Sequence, residues 1–154
     1  MDYIALSDNT ARQIIDSSTV FGEFVRVKNQ AQQYAGGMYW KRQGNYEYLV
    51  KTAPDNRQQR IGPRSADTEV IYQEFTARKQ ALEARFKSLR AAFSDAERLN
   101  KAVKAGRVPN TVVSVLQAIE EAGLGPHFTV VGTPALYAYE AAAGVRIVQG
   151  ALAT

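Results

Sequence analysis

Between Ile71 and Val103 the apolar residues Phe75, Leu82, Phe86, Leu89, Phe93, Ala96 and Leu99 recur at spacings of three and four, with one gap of seven. That period puts them on one stripe of an α-helix. Ser65 supplies an N-cap, Asp67 and Glu69 suit the positive end of the helix dipole, and Gly106 stops the run. The predicted helix, about residues 66–105, is roughly 60 Å long at 1.5 Å per residue. A small domain is narrower than that, so the helix either kinks, near Ser94, or projects beyond the core.

Shorter elements surround this rod. Ser7 to Tyr34 reads as helix, with a bend or break favoured around Ser17–Gly22 and a stop at Gly36-Gly37. Residues 38–51 read as a β-hairpin turning at Gln43-Gly44-Asn45, its aromatics Tyr39, Trp40, Tyr46 and Tyr48 leaning on a helix or free to stack on a base. Thr52 to Arg64 is polar, carries two prolines, and reads as a loop. A helix follows Pro109 and closes at Gly123. The apolar run Phe128–Val131 then reads as a buried strand, Gly132-Thr133 as a tight turn, and Pro134 onward as a short alanine-rich helix before the start of another strand. The fold class is α+β. Residues 1–123 form a mainly helical region with a β-hairpin and one long helix, and 124–154 begin a second, incomplete β-α-β core.

Composition narrows the chemistry. The 154 residues are 45% hydrophobic and 22% charged, as in ordinary folded proteins. With no cysteine and one histidine, His127, disulfides, thiolate metal sites and histidine-rich centres are excluded. No apolar run is long enough to span a bilayer, and the amino terminus lacks the pattern of a signal peptide, so the expected setting is soluble and cytoplasmic. The net charge of +4 is compatible with nucleic-acid or nucleotide partners without requiring them.

Backbone N–H groups at a strand-to-helix turn form an anion site, and a glycine there lets a phosphate approach closely. Val131-Gly132-Thr133, followed by Ala135-Leu136-Tyr137-Ala138-Tyr139-Glu140 and Ala143-Gly144-Val145, resembles a bacterial family of nucleotidyltransferase-fold proteins within the DNA polymerase β-like superfamily. Tyr39-Trp40-Lys41, Tyr48-Leu49 and Gly62-Pro63-Arg64-Ser65 extend the likeness upstream. The resemblance implies that Gly132 and Thr133 hold a nucleoside triphosphate, and that an Asp-x-Asp strand binds Mg²⁺ and activates the acceptor. After Gly132 the only acid is Glu140, an ordinary surface glutamate or an assistant to the site. Thr154 stands where the family has the threonine preceding Asp-x-Asp, so the chain reads as cut short before its metal ligands.

No catalytic or metal-ligating residue is therefore assigned. The phosphate-binding candidates are Gly132 and Thr133, with Arg60 and Arg64 as weaker ones flanking Gly62-Pro63 at a helix start. The expected function is the amino-terminal portion of an enzyme that transfers a nucleotidyl group from an NTP to an unknown acceptor, inactive as this chain alone. The alternatives are a nucleic-acid-binding module using the basic face of the long helix, and a protein-interaction module that self-associates through that helix or an open sheet edge.

Overall fold

The structure, a computed structural model, describes residues 2–148, so the reading of Thr154 lies outside the described residues. In chain order the elements are β1 (Tyr3–Ala5), α1 (Asp8–Gln33), β2 (Gly37–Gln43), β3 (Tyr46–Thr52), β4 (Gln58–Pro63), α2 (Ala66–Ala102), α3 (Asn110–Glu121), a 3-10 turn (Gly125–His127), α4 (Thr133–Ala143) and β5 (Val145–Ile147). The class is α+β, with four α-helices and two small antiparallel sheets. The chain divides into a central unit, Glu23–Ala91, and a terminal unit made of Met1–Gly22 and Ala92–Thr154.

In the central unit β2, β3 and β4 form an antiparallel sheet in that order. The predicted hairpin is present, with Gln43 opposite Tyr46 across Gly44-Asn45. Trp40 packs against Tyr72 of α2 at 5.9 Å between ring centroids, and Lys51 reaches the ring of Phe75, so α2 covers the sheet face that carries the buried Leu49. Phe24 stacks on Phe86 at 5.3 Å and Tyr34 meets Phe75 at 5.4 Å, seating α1 on α2. Gly36 ends the α1 connection at φ +87, where any side chain would collide with the Thr52 carbonyl. The glycine is required there by backbone geometry and by space together.

Two expectations for this half of the chain are corrected. Residues 52–64 are not all loop: Gln58–Pro63 pairs with β3 as a third strand, with a bulge at Leu49/Val50. An edge strand carries polar residues toward solvent and tolerates a terminal proline, so its composition looks like a loop. The break expected in α1 is absent. Contacts of Phe21 with Phe93 and of Phe24 with Phe86 outweigh the weak helix propensity of the Ser-Ser-Thr-Val stretch.

In the terminal unit α1 starts with a Ser7 cap, whose Oγ accepts from the Thr10 N–H at 3.3 Å. Ser17 Oγ donates to Asn100 Oδ1 at 2.6 Å and Gln13 Nε2 donates to the same oxygen at 3.0 Å, tying α1 to the end of α2. β1 pairs antiparallel with β5, Tyr3 opposite Ile147. β1 leaves no pattern in the sequence, because its three residues are all exposed. The expected strand at Phe128–Val131 is not formed either. The segment is unpaired, with Phe128 58% and Val131 75% exposed. An apolar run becomes a buried strand only where a neighbouring strand takes up its N–H and C=O groups, and among the described residues none does.

Candidate functional site

The Gly132-Thr133 turn lies at the entry to α4, as expected, but without the strand expected to lead into it. Gly132 has φ 73 and ψ −154, a region open essentially only to glycine. A Cβ placed on it would meet nothing within 4 Å. Gly132 is thus demanded by backbone conformation and not by tight packing, and the space beside the turn is open. Its carbonyl accepts from the N–H groups of Ala135 at 3.0 Å and Leu136 at 3.2 Å, while no side chain caps the helix start. Pro134 brings no N–H to the first turn. The Thr133 N–H and hydroxyl are therefore the donors at a helix end that attracts anions.

About two turns further on, α4 is anchored by a residue that the sequence left on the surface. Glu140 is buried, 6% exposed, and is not an ordinary surface glutamate. Its carboxylate takes a fork from Arg107, Nη2 to Oε1 and Nε to Oε2, and accepts from the Ile147 N–H at 2.6 Å. Arg107 also donates to the Ile147 carbonyl at 3.2 Å and lies 5.0 Å above the Tyr137 ring. One carboxylate thus joins α4, the 103–109 connection and β5. Arg107 was not singled out from the sequence. The available signal was an acid on an alanine-rich helix with no basic residue three or four positions away, which calls for a distant partner. Of the two tyrosines of α4, Tyr137 is half-buried under Arg107 and Tyr139 is 69% exposed.

Beside this segment the terminal unit contains an open apolar groove of about 850 Å³, walled by Phe21 of α1, Phe93 of α2, Val113 and Leu116 of α3, and Phe128 and Val130.

Residues 110–154 match a nucleotidyltransferase family. The matched span begins with α3 and takes in the Gly132-Thr133 turn, α4, Glu140 and β5. The upstream likeness at Tyr39-Trp40-Lys41 and Gly62-Pro63-Arg64-Ser65 lies outside it. No curated protein and no solved structure matches the chain.

The other candidates belong to the central unit and not to the unit holding the nucleotidyltransferase match. Arg64 donates to Glu47 at 2.5 Å and to Glu69 at 2.7 Å, and lies 4.9 Å from the Trp40 ring. Its guanidinium pKa is raised above the ordinary value by the hydrogen bond to Glu47 and then that to Glu69. Its charge already serves the junction between β3 and α2. Arg60 lies 3.3 Å over the Tyr48 ring and is exposed.

Mg²⁺, which the nucleotidyltransferase resemblance implies, needs closely placed oxygen ligands. Among the described residues no three acids or histidines cluster, and the one acid of the matched segment past Gly132 is taken by Arg107 and Ile147. The described residues do not fit the ion.

Proposed function

We propose that the Gly132-Thr133 turn binds the phosphates of a nucleoside triphosphate, as the phosphate-side half of a nucleotidyl-transfer site. The observation that carries the reading is the uncapped start of α4 on a glycine-only backbone conformation, inside the segment that matches the nucleotidyltransferase family. The Thr133 N–H and hydroxyl donate to phosphate oxygens, and the helix dipole favours the negative charge. The absence of any side chain near a Gly132 Cβ leaves the approach open. Glu140 and Arg107 are positioning residues in this reading: they fix α4 against β5, so that the turn keeps its direction. The acceptor remains a free choice among a nucleic-acid end, a protein side chain and a small molecule.

The test is equilibrium binding of a fluorescent nucleoside triphosphate to the chain and to Thr133→Glu. An acid in the first turn of a helix favours the helix but repels phosphate. Thr133→Glu is therefore expected to fold as well as the parent and to bind the nucleotide about tenfold more weakly or worse. Equal binding by the two proteins, or none by the parent, overturns the reading. The same chain is expected to transfer no labelled nucleotide to itself or to added acceptors in Mg²⁺. Transfer above background would show that the carboxylates come from residues not assigned here.

A further inference from the structure

The central sheet has a second face, opposite the one packed on α2. The register places Lys41 against Tyr48, Gln43 against Tyr46, Tyr39 against Val50, and Val50 against Arg60, so these side chains share that face. Tyr46 and Tyr48 confirm it, with ring centroids 6.5 Å apart, and the Arg60 guanidinium carbon lies over the Tyr48 ring, 3.3 Å from its centroid. Tyr46 is 68% exposed and Tyr39 37%. Val50 on this face is buried and Tyr48 is half-buried beneath Arg60, so the aromatic surface left open for stacking lies at Tyr46 and along the Tyr39 edge.

The charge of this face is one-sided. No carboxylate of β2, β3 or β4 shares it: the acids between Gly37 and Pro63 are Glu47 and Asp55, held by Arg64 and by Arg57 respectively. Lys41 and Arg60 are exposed and form no ion pair among the described residues. Rings that accept flat apolar surfaces, beside cations with no internal counter-charge, complement a ligand with stacked planar groups on a polyanionic backbone. We propose that this face, through Tyr39, Lys41, Tyr46, Tyr48 and Arg60, binds single-stranded nucleic acid.

Single strands are preferred for two reasons. A duplex hides its base faces, whereas a single strand can lay bases on aromatic rings and on guanidinium planes. The 6.5 Å between the Tyr46 and Tyr48 centroids is also nearly twice the ~3.4 Å rise of stacked bases. Neighbouring bases seated on both would be parted from each other, as in an extended strand. Arg60, over the Tyr48 ring, offers its guanidinium to a base and its charge to a phosphate. No base edge is read, so binding is tolerant of sequence.

The experiment is a fluorescence-anisotropy titration of the full chain with a labelled single strand of roughly 12 nucleotides, without nucleoside triphosphate or divalent metal. Its outcome is thus separate from that of the nucleotide-binding test, and either reading can fail alone. The expected result is binding that weakens with added salt and exceeds binding to the matching duplex. Tyr46→Ala should weaken it about tenfold, while Tyr46→Phe, which keeps the ring, should stay within about twofold. Arg60→Ala and Lys41→Ala should each lower the salt slope by about one. Tyr46 is exposed, so its replacement does not threaten the fold, and circular dichroism checks this. Absence of binding at low salt, equal binding to duplex, or indifference to Tyr46→Ala overturns the proposal. The last outcome would move any nucleic-acid contact to another surface, such as the basic face of α2.

Discussion

The two units of this chain are held together by different means. Among the described residues every buried hydrophobic side chain, Val27, Leu49 and Val50, lies in the central unit. The terminal unit has none, and its buried residues are the polar Thr10 and Glu140. Several of its large apolar side chains stay in solvent: Ile4, Leu99, Val115, Phe128 and Val131 are all more than half exposed. In the central unit a sheet satisfies its own backbone and a helix covers one face, so removal of apolar area from water provides the stability. In the terminal unit short antiparallel pairing, the half-buried Phe21–Phe93 contact, the Gln13 and Ser17 hydrogen bonds to Asn100 and a charged fork carry the order.

This contrast predicts where substitutions hurt most. Leu49 is fully buried beneath α2, so Leu49→Ala loses its transfer free energy and leaves a cavity. A loss of about 3 kcal/mol is expected in denaturant unfolding. A loss below about 1 kcal/mol would mean that the central unit lacks the core assigned to it. No apolar truncation among the described residues of the terminal unit should approach this value, because none of their apolar side chains is fully buried.

The terminal unit should instead be most sensitive at Glu140. Glu140→Ala leaves the Arg107 guanidinium and the Ile147 N–H without their acceptor. Breaking a fully buried ion pair costs about 3–5 kcal/mol. Arg107 keeps 21% of its side-chain surface, so water compensates part of the loss and about 2 kcal/mol is expected. Amide hydrogen exchange should speed up in β1 and β5 while β3 is unchanged. Uniform acceleration in both units would show that they unfold as one, which removes the distinction drawn here.

Legibility from the sequence follows the same division. The hairpin, α2 and α3 were readable because their information is local: a turn pair, a stripe of period 3.6, a proline before and a glycine after. β4 was missed because an edge strand needs neither apolar residues nor alternation. β1 was missed because three exposed residues carry no pattern at all. The turn at Gly132 was readable because only glycine takes that backbone conformation, so the residue type reports the geometry. Arg107 and Glu140 were not, since they lie 33 positions apart and charge complementarity at that distance leaves no spacing to recognise. Phe128–Val131 misled for the opposite reason. Its apolar composition reports what the segment favours, while strand formation depends on a partner that composition does not reveal.

The smallest effect should come from Glu23, a polar contact in the unit that does not depend on polar contacts. Its carboxylate accepts from Arg26 at 2.6 Å and from Arg85 of α2 at 2.7 Å. These hydrogen bonds, that of Arg26 foremost, lower its pKa from 4.5 to about 2. A depressed folded-state pKa stabilises the folded chain wherever the unfolded carboxyl is ionised, hence above about pH 4.5. That contribution is lost as the pH falls through the window toward 2. The stability difference between the parent and Glu23→Gln should be flat at neutral pH and shrink steadily below pH 4.5. With Arg26 54% and Arg85 58% exposed, solvent screens the pair and added salt should erase most of the difference. A difference that persists at pH 2 or in high salt would assign Glu23 a packing role. The central unit would then share the polar dependence of the terminal one, and the contrast between them would rest on the buried Val27, Leu49 and Val50.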